Sequence, residues 1–227
     1  MAKVISRVLG KFSGSLGDMS LRNRKGVNYI AMKPGSFNAP SDEYSISRRF
    51  RFSITVKFTS VINANPLLKN IWEAVTPANM STANFITQNN YKLTDQNGLT
   101  NFNLIVPFGG FPFTINSFSI ADERVNAVTG PLNNATRFDT SIEKKINLVC
   151  IITLSSPAVE SISKTLFLSC EFPQEDLELE HEINFIHGLT KLEVELLSGY
   201  SVRKSYLALI TTDPANNIIH YSQTAVI

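Results

Sequence analysis

From about residue 93 onward, short apolar segments alternate with turn residues such as Gly109-Gly110 and Gly130-Pro131. Glycine and proline favour turn conformations and interrupt strand ladders, so they mark the ends of these segments. Eight segments have the length and composition of β-strands: 102–107, 114–121, 145–155, 163–172, 177–185, 192–197, 205–211 and 218–225. Strands at this spacing predict an antiparallel β-sandwich or barrel.

Residues 41–62 fit two periodicities. Apolar side chains occupy even positions between 44 and 58, which is the period of a strand. Phe50, Ile54 and Phe58 are also spaced four residues apart, which would place them on one face of a helix. Alternation alone favours a strand here.

Two shorter helices are predicted between this segment and the β-rich part. Asn65-Pro66 opens the first, because proline is well placed in a first helical turn, and Pro77 closes it. Residues 80–91 form a second helical piece, with Phe85 and Ile86 facing inward. We therefore expect a helical segment over residues 41–92 and a β domain over residues 93–227.

Glycine and proline interrupt residues 1–40 throughout, with only short apolar pieces between them. Glycine permits tight turns at positive φ, so this segment is predicted to be an extended arm with turns. An arm that buries little surface becomes ordered by lying against its own body or another subunit.

Composition supports a sizeable core: hydrophobic residues make up 43% of the 227 residues and charged residues 18%. Fifteen Phe and six Tyr against one Trp are typical of sheet-rich packing. Together with the predicted helices, this gives a fold class of α+β, mainly β.

Charge is distributed unevenly along the chain. Residues 1–57 contain eleven Lys or Arg and three Asp or Glu, a net of +8, whereas the remaining residues carry ten and sixteen, a net of −6. The basic front could contact nucleic acid, dock on the acidic part of a neighbouring copy, or simply be solvated. We favour docking, with nucleic acid as the weaker alternative.

The predicted partner-binding residues are apolar anchors of the arm and basic residues of the first half of the chain. They are Val4, Ile5, Arg7, Val8, Leu9, Phe12, Arg22, Arg24, Lys25, Arg48, Arg49 and Arg51. Arginines near aromatic residues could also bind single-stranded nucleic acid, but these aromatics are better explained as a core stripe.

No catalytic or metal site is predicted. Cys150 and Cys170 lie in apolar strand-like runs, so we expect buried free thiols, with a disulfide between neighbouring strands as the alternative. His181 and His187 lie near glutamates, but packed or surface histidines explain them better than a metal site does. No Gly-x-Ser-x-Gly or phosphate-loop motif is present, so we expect neither enzymatic activity nor a cofactor.

We also expect no signal peptide and no membrane span, because no apolar run has the required length. These features predict synthesis in a cytoplasm.

Several segments resemble a domain family of unknown function common in Bacteroidota and their phages. The resemblance is carried by GKFSGSLGDMSLRNRKGVNYI, KPGSF and RRFRFS near the N-terminus, NPLLKNIWEAV and MSTANFITQNNY in the middle, and YLALITTDPANNIIHYSQTAVI at the end. Residues 126–140 depart from the family pattern, and the last strand lacks its Tyr-x-Gly ending. The resemblance implies a helix over residues 41–62 and an immunoglobulin-like β domain, and we adopt both.

The family has no established activity to carry over, but its occurrence near phage genes implies a virion part. We therefore predict a non-enzymatic structural subunit of a phage virion (head, connector or tail) that contacts other copies or other virion proteins. Two alternatives are a nucleic-acid-binding protein using residues 22–57 and a surface- or carbohydrate-binding module using loops around residues 108–137.

Overall fold

A computed structural model of the chain describes residues 2–4, 13–24, 26–33, 35, 39–133, 138–158 and 164–227. The chain divides into two compact units, Met1–Ile46 and Ser47–Ile227.

The N-terminal unit contains a four-stranded antiparallel sheet, called the N-terminal sheet below. Its strands are β1 (Ala2–Val4), β2 (Gly14–Leu16), β3 (Met19–Arg24) and β4 (Val27–Met32), in the order β1-β4-β3-β2. Gly17, at a φ of 55°, makes the two-residue turn between β2 and β3, a conformation that suits glycine in tight hairpins. Within the segment predicted as an extended arm, the described strands β2, β3 and β4 are thus paired consecutively in antiparallel fashion, and β1 pairs with β4.

Helix α1 (Glu43–Ala64) occupies the segment with two possible periodicities. The backbone N–H of Ser45 donates a hydrogen bond of 2.8 Å to the Asp42 carboxylate near its start. Ile54, Phe58 and Ile62 are buried on one face, four residues apart. The strand that alternation favours is therefore wrong, and the helix implied by the family resemblance is confirmed.

Helices α2 (Pro66–Val75) and α3 (Thr82–Leu93) confirm the other two helix predictions. The side chain of Asn65 caps α2 by accepting a 3.0 Å hydrogen bond from the Leu68 N–H, and Ser81 caps α3 in the same way.

The β part forms two antiparallel sheets. A three-stranded sheet has the order β10-β6-β5, and a larger sheet has the order β12-β11-β7-β8, with β13 beside β11 and β9 beside β7. Their bounds are β5 (Ile115–Ala121), β6 (Arg124–Thr129), β7 (Lys145–Pro157), β8 (Thr165–Glu171), β9 (Glu175–Asp176), β10 (Ile183–Gly188), β11 (Tyr200–Thr212), β12 (Ile218–Tyr221) and β13 (Ala225–Val226). A fourth helix, α4 (Lys191–Ser198), precedes β11.

The central strands β7 and β11 are buried on both faces. On β7, Leu148, Cys150 and Ile152 join a core with the three-stranded sheet, while Val149 and Ile151 join a second core with helices α1 to α3. Burial on both faces explains why these strands are continuously apolar rather than alternating. The fold is therefore α+β with mostly antiparallel sheets, and the helical segment shares a core with the β part.

Two predicted strands are wrong, over residues 102–107 and 192–197, and a third, predicted over residues 177–185, is a strand only from Ile183 onward. Residues 102–107 are irregular, and all of them except Phe102 are buried. The Trp72 indole donates a 2.8 Å hydrogen bond to the Ile105 carbonyl there. Residues 177–182 contain a turn with Glu180 at a φ of 66°, although their alternation is regular. Residues 192–197 belong to α4, which Thr190 and Glu193 start with a reciprocal capping box.

Strand β6 was not predicted. Val125 and Ala127 face the core in an alternating pattern, but the segment is short and lies beside a glycine-proline turn.

Candidate functional site

The N-terminal sheet has an exposed apolar row on one face. Leu16 lies opposite Met19, and Met19 lies opposite Met32 on the next strand. Directly opposed residues of antiparallel strands share a face, so the three side chains are neighbours. Their exposed fractions are 63%, 37% and 70%, respectively. We call these three residues the apolar row.

The same face continues with a second apolar pair and ends in a polar pair. Leu21 and Ile30 are opposed and half-buried. Asn23 and Asn28 follow, and the Asn23 side-chain amide donates a 2.6 Å hydrogen bond to the Asn28 side-chain oxygen. Apolar surface is thus concentrated at the end of the sheet that carries the β2–β3 turn.

The opposite face is polar and basic. Ser15 lies opposite Ser20, and Arg22 lies opposite Tyr29. The Ser20 hydroxyl donates a 3.3 Å hydrogen bond to the Ala31 carbonyl. The sheet is therefore amphipathic, and small sheets of this kind gain stability by packing their apolar face against another surface.

Few of the predicted partner-binding residues fall on this apolar face. Arg22 is exposed on the polar face, and Arg48 and Arg49 are exposed on α1. Val4 and Arg24 lie in β1 and β3. The other predictions on this segment lie outside the described residues: Ile5, Arg7, Val8, Leu9, Phe12 and Lys25.

Arg51 makes contacts within the helical segment. One terminal guanidinium nitrogen donates a 3.0 Å hydrogen bond to the Tyr91 carbonyl, and the guanidinium carbon lies 4.8 Å from the centre of the Tyr91 ring. A positive charge is favourable near a helix C-terminus because of the helix dipole, and it is also favourable over the face of an aromatic ring. Arg51 therefore joins α1 to the end of α3.

The cysteines are free and buried, as predicted. Cys150 on β7 lies opposite Cys170 on β8. Burial raises the pKa of the Cys170 thiol to about 12, and burial together with the neighbouring Cys170 raises the pKa of Cys150 well above its usual value. Neither sulfur has the thiolate character of a nucleophile at neutral pH.

The three histidines do not converge. His181 and His187 each place Nδ1 near a backbone carbonyl, at 3.1 Å from Leu179 and 2.8 Å from Glu171. His220 contacts the carboxylate of Glu143 at 3.0 Å. Among the residues that the structure describes, no group of three or more His, Cys, Asp or Glu side chains is placed to hold a metal ion.

The apolar row was missed in the sequence, although a signal for it exists. Apolar and polar residues alternate in MSLR, and two-residue gaps containing glycine, Gly17-Asp18 and Lys25-Gly26, separate this strand from its neighbours in the sequence. This combination is the ordinary signature of a hairpin. The glycines obscure this signature, because a glycine between short apolar pieces is equally compatible with an extended, interrupted segment and with a tight turn.

No protein-family model matches the chain, and no curated protein shows a significant match to it. The family resemblance of the N-terminal segment therefore stays a prediction. None of the described helices combines the length and the apolar character that crossing a membrane requires.

Proposed function

We propose that this protein is a non-enzymatic structural subunit of a larger assembly, a phage virion part, and that its N-terminal sheet docks on a neighbouring copy. The exposed apolar row of an amphipathic sheet carries this proposal. The virion assignment is supported by the family resemblance alone. The same resemblance supports an immunoglobulin-like relationship for the β part, which does pair two antiparallel sheets.

Burial of the apolar row supplies the binding energy in this proposal. Fully burying a Leu or Met side chain is worth about 1.5–3 kcal/mol. Three adjacent side chains of this kind form one continuous apolar contact. The polar residues around them would set the relative orientation of the two copies rather than add affinity.

Charge complementarity favours a second copy as the occupant. The first 57 residues carry a net charge of +8 and the rest of the chain −6. Exposed carboxylates cluster before β10, at Glu178, Glu180 and Glu182. Two N-terminal segments repel each other, so the front of one copy is attracted to the acidic part of another. Such a head-to-tail contact builds rings or filaments, which suits a component of a particle.

The described chemistry also supports a non-enzymatic role. The buried thiols have raised pKa values, and the histidines contact separate parts of the fold. The proposal thus rests on a surface rather than on a cleft.

The L16E/M19E double variant tests the apolar row. Two carboxylates on this face oppose burial, so we expect self-association to weaken at least about tenfold. The S15E/S20E variant is the matched control, because it adds the same charges to the same hairpin on the opposite face. Sedimentation velocity over a concentration series measures the association.

A wild-type chain that stays monomeric at all concentrations contradicts the proposal, as do two variants that associate equally well. Binding of the wild type to DNA at low salt, with a steep salt dependence, would instead favour the nucleic-acid alternative.

A further inference from the structure

Two exposed phenylalanines flank a pocket between the loop after α3 and the C-terminal segment. Phe102 is 74% exposed and Phe108 is 70% exposed. The pocket has a volume of about 360 Å³ and is also lined by Leu104, Asn101 and Gln223. Large aromatic side chains normally bury most of their surface, so two at the rim of one concavity mark a binding feature.

The loop that carries these phenylalanines is firmly held. Asn103 is completely buried, and its side-chain amide donates a 3.1 Å hydrogen bond to the Asn90 carbonyl. The Thr224 hydroxyl accepts a 3.1 Å hydrogen bond from the Ile105 N–H. The exposed rings therefore stand on a fixed scaffold, which lowers the entropy cost of binding a ligand.

The other wall of the pocket is fixed equally closely. Phe111 forms two backbone hydrogen bonds with the C-terminal segment. Its N–H donates a 3.1 Å hydrogen bond to the Tyr221 carbonyl, and its carbonyl accepts a 2.8 Å hydrogen bond from the Gln223 N–H. A Cβ at Gly110 would overlap the Ser222 carbonyl, so only glycine allows this close approach.

The lining is mostly apolar, and its polar side chains are uncharged. It includes no Asp, Glu, Lys, Arg or His among the described residues. The side-chain amides of Asn101 and Gln223 are exposed and make no hydrogen bond with the part of the chain that the structure describes. Each amide offers both donors and an acceptor. The pocket thus combines aromatic faces with neutral hydrogen-bonding groups.

We propose that this pocket binds a neutral saccharide. A sugar ring has an apolar C–H face, which packs on an aromatic ring, and hydroxyls, which both donate to and accept from amides. Charged ligands would lack a counter-charge here, and a purely apolar ligand would leave the amides without partners. The volume is at the lower end of ligand pockets, about 300–1,000 Å³, which limits the occupant to one or two sugar units. This activity is independent of the proposed docking of the N-terminal sheet.

Binding is tested with the full chain on an array of neutral mono- and oligosaccharides, followed by calorimetric titration of the saccharides that bind. We expect F102A to weaken binding about tenfold or more and Q223A to weaken it about two- to tenfold. The control is F52A, which also truncates an exposed phenylalanine but lies on α1 away from this pocket. It should bind saccharide as the wild type does.

Silence on the neutral array overturns the proposal, and so does saccharide binding that survives in the F102A/F108A double variant. If the array is silent and F102A/F108A loses self-association, the pocket holds a protein side chain instead of a sugar. Circular dichroism of each variant verifies that the fold is retained.

Discussion

At the scale of single residues, Glu143 is a completely buried carboxylate that the structure surrounds with hydrogen-bond donors. It accepts hydrogen bonds from the Thr211 hydroxyl and from the Asp139 N–H at 2.8 Å, and His220 lies 3.0 Å away. A buried carboxylate is tolerated only when its oxygens are paired in this way. The Glu143 cluster therefore fixes the loop before β7 to the end of β11.

Replacing Thr211 by Val tests this cluster. The variant keeps the shape of the side chain but removes a donor to Glu143, so we expect a loss of about 1–3 kcal/mol in the free energy of unfolding. Thr153→Val is the matched control, because the buried Thr153 hydroxyl has no hydrogen-bond partner among the described residues. It should leave stability unchanged or slightly raised. Urea denaturation measures both, and equal effects would contradict this account of Glu143.

At the scale of elements, α1 shows how burial chooses between two periodicities. Positions spaced four apart satisfy a strand period and a helical period at once, so Phe58 is inward in either structure. Position 52 separates the two: it would share the inward face of a strand with Phe58, but on the helix it is exposed. In the helix, the Phe58 ring lies 5.2 Å from Tyr206 and 5.7 Å from Phe167, between ring centres.

Two alanine substitutions on α1 distinguish these arrangements. Phe58→Ala empties a buried site between two rings and should cost about 3–5 kcal/mol in the free energy of unfolding. Phe52→Ala removes an exposed ring from the same helix and should cost less than about 1 kcal/mol. Chemical denaturation with circular dichroism gives both values. Similar losses in the two variants would show that both rings face the core, contrary to the helix.

At the scale of the whole molecule, the chain divides within its basic first 57 residues, so that Arg48, Arg49, Arg51 and Lys57 belong to the larger unit. The N-terminal unit ends at Ile46, and the larger unit contains both core clusters. The large unit therefore has what it needs to fold, whereas the N-terminal sheet exposes its apolar row. This division matches the proposal that the larger unit supplies a rigid body and that the N-terminal sheet makes the contact with a neighbouring copy.

Deleting residues 1–40 tests that division of roles. The shortened chain keeps Asp42, which caps α1, and every described strand of the two sheets of the β part. We expect a cooperative unfolding transition close to that of the full chain and a monomeric mass by light scattering. If the shortened chain associates as the full chain does, the N-terminal sheet does not make the assembly contact.

The sequence was sufficient where a signal was local and unambiguous. Asn65-Pro66 marked the start of α2, because proline fits the first turn of a helix and this signal depends on neighbouring residues only. The apolar runs around Cys150 and Cys170 predicted buried free thiols for the same reason. Of the candidate site, the sequence identified the N-terminal segment and its charge but not the apolar row.

Tertiary contacts settled what local patterns left open. Residues 102–107 and 192–197 are as apolar as real strands, yet the first is an irregular segment that is buried over residues 103–107 and the second is helix α4. Apolar composition indicates burial, but it does not say which backbone conformation achieves it. Likewise, alternation at the start of β3 implies two unlike faces, but only strand register places Leu16, Met19 and Met32 side by side. Register depends on pairing between distant residues, and a linear pattern does not contain that information.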